Sequence, residues 1–406
     1  MIYSSVNCSY FELAFRVPCS DGFRNGFLAM ACVPAELIPY TFFVYLCIVD
    51  KLNKIIEGYP VELKMLLVCC GSERWKVEDL LPSRTLHPKG SYAHETIDWE
   101  RFYQWMRRHR VAPAVYRYIK KNPAVLPEEV VTKVKKDQER ITRRTLLLTS
   151  ELIRIGKLLD ENNIPWFTMK GPVLARHLYG DVAGRDYRDL DIFVKQEDLV
   201  QAFDILKKSG YTSLLKLSLR NLVKIYHHIE LFNSVIKTKV ELHWKLFANE
   251  YLFQFSKNET CSYFLNETNK IPTIDKLSQS TFIIIHNAQH QWNELQWLID
   301  SREILNDNEV NNTISELLIS KKLSVINNLV NDLTALLFNK VTNEIHAKSY
   351  MVADCLKAIV SQKATISSKI KKTRYLFNIS GSKNYKINVF KLRLKFLFLN
   401  PKKRIH

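Results

Sequence analysis

The chain has 406 residues, 47% hydrophobic and 25% charged, which excludes an intrinsically disordered polypeptide and suffices for a sizeable core in about two to three domains. Only 11 glycines and 13 prolines predict a helix-rich fold with few loops. The formal net charge of +18 suits nucleic acid, anionic lipid or a polyphosphate substrate and does not choose among them.

Residues 1–60 read as an atypical N-terminal extension, poorly periodic and rich in cysteine, with the working protein expected to begin near Met65. Six of the eight cysteines precede residue 71 (Cys8, Cys19, Cys32, Cys47, Cys69, Cys70), and none forms a Cys-x-x-Cys pair. They make neither a disulfide framework nor a zinc site, and fit a reduced, cytoplasmic setting. The stretch from Phe27 to Val49 is the membrane candidate. Pro34, Glu36 and Pro39 in mid-span argue against a crossing, and no charged-apolar-small signal pattern precedes it, so no transmembrane span is expected.

Residues 61–160 predict a helical region. Asp98 is placed to cap a helix through Phe102 and Met106 and on from Val111 to Tyr118, and a second helix is predicted from Glu128 to Asp160. Trp99 and Trp105 read as core, with Arg107, Arg108 and Arg110 as a solvated face in preference to a nucleic-acid face.

Residues 161–250 carry the chemistry. Ile164–Met169 reads as a short buried strand running into Lys170-Gly171-Pro172 and a helix over Val173–Tyr179. Gly171 permits close backbone approach, Pro172 suits a first helical position, and the free amides of the helix start favour an anion beside the Lys170 charge. Asp189-Leu190-Asp191 then opens the apolar run Ile192-Phe193-Val194. Side chains alternate on a strand, so Asp189 and Asp191 share a face, and two such carboxylates stay ionised together only when a cation bridges them. The plainer alternative is a strand that starts at a polar turn with its acids in water. Gln196–Ser209 predicts a helix ending at Gly210, with Asp198 and Asp204 on its wet side. Ile229–Val235 and Lys239–Trp244 predict a β-hairpin, with Glu241 and His243 on the face opposite Val240 and Leu242.

Residues 251–365 predict a helical C-terminal domain, including one helix over Thr281–Asp300 and further helices from Asn306 to Ser361. His286 and His290, four apart, read as core histidines rather than zinc ligands, since no third ligand accompanies them. Residues 366–406 form a basic tail: Lys369 to Arg404 holds twelve Lys or Arg and no acid, interleaved with aromatic and aliphatic residues. Such a tail suits weak contact with an anionic membrane surface or a phosphate backbone, or stands solvated or loosely docked. No internal repeat is present.

The order of a glycine turn with helix, an Asp-x-Asp strand and a later acidic strand resembles the nucleotidyltransferase superfamily of the polymerase-beta type. More narrowly, Lys170-Gly171, Leu178-Tyr179-Gly180-Asp181, Arg185, Asp189-Leu190-Asp191 and Glu241-Leu242-His243-Trp244 are similar to a bacterial family of uncharacterised nucleotidyltransferases. The helical segment Ile283–Asp300 is similar as well, and the likeness spans Trp99 to Leu305. It implies an α+β fold, a small mixed β-sheet with flanking helices. It also implies metal-dependent transfer of a nucleoside monophosphate from an NTP, such as ATP, to a hydroxyl or phosphate on a small molecule, sugar, peptide or protein. In that scheme Asp189, Asp191 and Glu241 are the catalytic and metal-binding acids, holding two Mg²⁺ ions or one, with Mn²⁺ as an alternative. Lys170, Gly171 and Arg185 contact the nucleotide, although Arg185 equally suits a bond to Asp189, Asp181 or a loop carbonyl. His243 fits a packed or supporting position better than a ligand position. The chain departs from the superfamily in having Lys170-Gly171 where Gly-Ser usually holds the triphosphate, and a glutamate where the third acid is often aspartate. The alternative is a catalytically inactive module that keeps the fold and uses its basic surface to hold nucleic acid, anionic lipid or a partner protein. The expected location is the cytoplasm, free or peripheral to the membrane.

Overall fold

The computed structural model describes residues 40–81, 97–123, 125–213, 219–224, 226–254, 260–264, 270–339, 344–361 and 366–399. The chain divides into units at 51/52. Most of the expected 1–60 extension, including residues 27–39 of the membrane candidate, lies outside the described residues, as do residues 400–406 of the tail. Residues 40–57 form a helix, Tyr40–Glu57. Among the described residues no helix is long and apolar enough to cross a membrane.

The fold is α+β, with many helices around one small mixed sheet. Its strands are β1 (Trp166–Phe167), β2 (Leu190–Val194), β3 (Thr212–Ser213), β4 (His228–Asn233) and β5 (Thr238–His243), in the order β1-β2-β5-β4-β3. Only β2 and β5 run parallel, with Leu190 beside Val240, Asp191 beside Glu241 and Phe193 beside His243. The β4–β5 hairpin turns where Asn233 Oδ1 accepts from the amides of Val235 and Ile236 at 3.1 and 3.2 Å. Alternation sends Leu190, Ile192, Val194, Ile229, Leu231, Val240 and Leu242 to one face. There they bury against Leu148, Leu152, Ile155 and Leu159 of the helix Glu128–Glu161 and against Ala202 and Leu206 of the helix Leu199–Lys208. Burial of so many aliphatic groups fixes the register, because a one-residue slip would turn all of them to the polar face.

Two predicted helices are broken in the structure. Asp98 caps Trp99–Arg108, accepting from the amides of Glu100 and Arg101. The chain then turns at Arg110 (φ 60°), and a new helix, Ala112–Lys121, starts with Pro113 in its first turn, the place where a missing N–H costs nothing. Likewise Thr281–Asp300 is not one helix: Lys276–Gln289 and Leu295–Leu305 are separated by Gln291 (φ 58°) and Trp292 (φ 46°). Trp292 is fully buried and donates to Ser301 Oγ at 3.0 Å, so tertiary packing overrides helical continuity there. A second hairpin, β6 (Thr260–Phe264) with β7 (Lys270–Ile274), lies in the part read as wholly helical.

The described part of the basic segment, residues 366–399, holds two helices, Ile366–Asn378 and Lys383–Leu399. Tyr375 and Tyr385 are buried; Tyr375 donates to the Ala288 carbonyl at 2.9 Å, and Asn249 Nδ2 donates to the Tyr385 carbonyl at 3.0 Å.

Candidate active site

The Lys-Gly turn is held from three sides. The Thr168 amide donates to the Pro272 carbonyl of β7 at 3.0 Å, and Thr168 Oγ1 donates to the Asp191 carbonyl at 2.7 Å. Thr273 Oγ1 donates to the Thr168 carbonyl at 2.6 Å, and Gln279 Nε2 donates to the Met169 carbonyl at 2.7 Å. Gly171 sits at φ +56° and opens the helix Gly171–Tyr179, with Lys170 in the cap position. A Cβ at Gly171 would meet Leu190 and Tyr187 at ordinary distances, 3.7 and 3.8 Å. The demand for glycine is therefore conformational rather than steric.

The loop that delivers Asp189 is clamped by arginines. Arg110 donates to the Asp186 carbonyl at 2.8 Å, Arg117 to the Gly184 carbonyl at 2.9 Å and Arg144 to the Tyr187 carbonyl at 3.1 Å. Arg144 also pairs with the Asp186 carboxylate. Arg110, read from sequence as part of a solvated face, thus holds the loop instead, and Arg108 donates to the carbonyls of Ile359 and Ser361. Asp181 Oδ1 accepts from the Ala183 amide at 2.9 Å, and Gly180 ends the preceding helix in the left-handed conformation. Arg185 is turned away from solvent. Its Nε donates to Asp300 Oδ2 at 2.8 Å, while Asp300 Oδ1 accepts from Tyr179 Oη at 2.6 Å and Gln296 Nε2 at 2.9 Å. The structure thus commits Arg185 to a buried ion pair whose partner is none of those considered from sequence.

Asp191 and Glu241 stand side by side on the parallel pair, and Asp189 lies at the mouth of β2. Two lysines serve them: Lys170 Nζ is 3.2 Å from Asp191 Oδ1, and Lys239 Nζ is 2.9 Å from Glu241 Oε1 and 3.7 Å from Asp189 Oδ2. Burial alone would raise the Asp191 pKa, but Lys170 and His243 outweigh it and hold the carboxyl well below its ordinary range. Glu241 is likewise held low, with His243, His228 and Lys239 overcoming burial. Asp189 is pushed up by burial and by the charges of Asp191 and Glu241, which its lysines do not fully offset.

Sequence reasoning missed part of this face. Across the hairpin His228 stands opposite His243 and Glu230 opposite Glu241, so β4 adds a histidine and an acid to the polar side. His227, His228 and His243 form one cluster, with ring centroids 4.4 to 5.6 Å apart. The signal was in the sequence: His228 and Glu230 alternate with Ile229 and Leu231 as Glu241 and His243 do with Val240 and Leu242. Lys239, two residues before Glu241, was visible by the same alternation. Beyond His243, Phe193 stacks on its ring at 4.5 Å and on Phe167 at 5.0 Å. Phe167 and Phe193 also line a cavity of about 720 Å³, together with Trp166, Trp244, Lys195 and Lys245. His286 and His290 pack against Trp297 and are kept neutral, chiefly by burial.

One ligand atom from each of Asp191, Glu241 and His243 lies within 4.8 Å of the other two, a donor set that fits a divalent cation. The family model described as uncharacterised nucleotidyltransferase matches residues 95–339. The chain belongs to this family. The matched region takes in the Lys-Gly turn, the clamped loop, all five strands of the sheet and the helices through Phe338. Among curated proteins no relative matches the sequence. Membership of a nucleotidyltransferase family agrees with the α+β fold and with the carboxylates gathered beside a helix start.

Proposed function

We propose that this nucleotidyltransferase-family chain is a metal-dependent enzyme that moves a nucleoside monophosphate from an NTP to a hydroxyl or phosphate acceptor. The observation that carries the reading is the parallel register that seats Asp191 beside Glu241, with Asp189 two residues upstream and Lys170 in contact. In the reaction the acceptor oxygen bonds to the α-phosphorus, the bond from that phosphorus to the bridging oxygen breaks, and pyrophosphate leaves. Asp189, Asp191 and Glu241 would hold the divalent ion, which supplies charge neutralisation on the phosphate oxygens when bound.

The rest falls to the chain's own groups. Lys170 and the free amides at the start of Gly171–Tyr179 receive the phosphates, a role that a rigid turn pinned by Thr168, Thr273 and Gln279 performs without reorganisation. One carboxylate of the trio takes the acceptor's proton. The aromatic cavity next to Phe193 gives room for the base or the acceptor, and its volume is in the ordinary range for small-molecule sites.

The test is a screen of the purified full chain against the four common NTPs, with Mg²⁺ and in parallel with Mn²⁺, Co²⁺ and Zn²⁺, and with a small-molecule extract as acceptor source, reading pyrophosphate release. Release with at least one NTP that stops on chelation supports the enzyme. No release with any NTP, alongside intact folding, favours a binding module.

A further inference from the structure

We infer that the site is built to take a first-row transition-metal ion, with His243 Nε2 as a direct ligand between Asp191 Oδ1 and Glu241 Oε2. This deepens the reading above by assigning a ligand and a metal preference to the same face of the sheet. His243 is 4% exposed; its Nδ1 has no hydrogen-bond partner and its Nε2 makes only ion-pair contacts, an uncommon state for a buried imidazole. Its Nε2 faces two carboxylates instead, 3.2 Å from Asp191 Oδ1 and 3.5 Å from Glu241 Oε2, outside hydrogen-bond directionality.

Those spacings have a chemical meaning. Zinc binds imidazole nitrogen and carboxylate oxygen at about 2.0–2.2 Å in a tetrahedron, whose edges are then roughly 3.3–3.6 Å. Octahedral Mg²⁺ at about 2.0–2.1 Å needs neighbouring ligands roughly 2.8–3.0 Å apart and takes oxygen rather than nitrogen. The observed distances, 3.2 and 3.5 Å, lie nearer the tetrahedral edge than the octahedral one. His228 Nε2 stands 3.9 Å from the same Glu241 oxygen, and its Nδ1 is 3.2 Å from His227 Nε2. With His228 Nδ1 donating to His227, His228 Nε2 is left bare to approach the ion, the outer-layer arrangement usual around ligating histidines.

The other polar neighbours are compatible. Lys239 uses Glu241 Oε1, the oxygen away from the histidines. Lys170 is on Asp191 Oδ1, so ion entry would displace its ammonium toward the phosphate position at the helix start. A site of Asp, Glu and one or two histidines ranks Zn²⁺ and Co²⁺ above Mg²⁺ in affinity.

The experiment uses the full chain labelled with ¹⁵N-histidine. On addition of Zn²⁺, the His243 ring nitrogens of the wild type are expected to move to the shifts of a metal-bound imidazole, and Co²⁺ is expected to give a tetrahedral visible spectrum. His243→Gln, shown folded by circular dichroism, should weaken Zn²⁺ binding at least ~10-fold, since even outer-layer partners are worth about 10–100-fold. Unmoved His243 signals in the Zn²⁺-saturated wild type would overturn the inference, as would a six-coordinate Co²⁺ spectrum or equal Zn²⁺ affinity in the folded variant. The wild-type signals decide the matter even if the variant fails to fold. Nitrogen ligation with no pyrophosphate release would keep the metal site and reject the transferase.

Discussion

Gly171 holds φ +56° at the start of the helix Gly171–Tyr179, where any side chain would have to sit in a conformation costing an L-residue about 1–2 kcal/mol. Gly171→Ala is expected to lower stability by that amount in urea unfolding and to weaken nucleotide binding; an unchanged midpoint would show that the turn is not strained. His109 offers a second test at this scale. Burial, with Arg108 adding to it, depresses its pKa to about 3, and its Nδ1 accepts from the Leu295 amide at 3.2 Å. The unfolded histidine titrates near 6.5. Between about pH 6.5 and 3 the unfolded chain therefore binds a proton that the folded chain refuses. The stability contribution of His109 is complete above pH 6.5 and is lost as pH falls through that window. His109→Gln should reduce proton uptake on unfolding at pH 5 by about one, measured from the pH dependence of the unfolding free energy.

At the scale of elements, the buried Arg185–Asp300 pair joins the loop before β2 to the helix Leu295–Leu305, across 115 residues of sequence. Removing one partner strands the other charge in the interior. Asp300→Ala is thus expected to cost about 3–5 kcal/mol in chemical denaturation and to loosen the Asp189 loop. A loss under 1 kcal/mol would mean that Arg185 finds solvent on its own. The elements that the sequence declared are those whose cause is local: Asp98 as a cap, the alternation around Asp191 and Glu241, and the hairpin that pairs Ile229–Val235 with Lys239–Trp244. What it hid has non-local causes. Arg110, Gln291 and Trp292 take positive φ without being glycine, so no glycine marks the two helix breaks, and only Pro113 after the first hints at one. Pro272 argues against the strand it occupies and is tolerated because its carbonyl, not its nitrogen, serves Thr168. The Arg185 partner could not be chosen from spacing, because Asp300 reaches it only through the fold.

For the whole molecule, the sheet is the rigid frame and the helices are its clamps. Helices Ala112–Lys121 and Glu128–Glu161 lend arginines to the loop that carries Asp189, while Lys276–Gln289 and β7 fix the Lys-Gly turn. The site is thus assembled from segments on both sides of the sheet's own sequence, which accounts for a family match that extends from residue 95 to 339. The central claim is that the acids on β2 and β5 carry nucleotidyl transfer, and it is decided by where the phosphate label goes. With the NTP that gives turnover, label in the α-phosphate should enter the acceptor and label in the γ-phosphate should leave in pyrophosphate, with Asp191→Asn slowing both by about 10²-fold or more. Transfer of the γ-label to the acceptor, or an Asp191→Asn chain as active as the wild type, would contradict it.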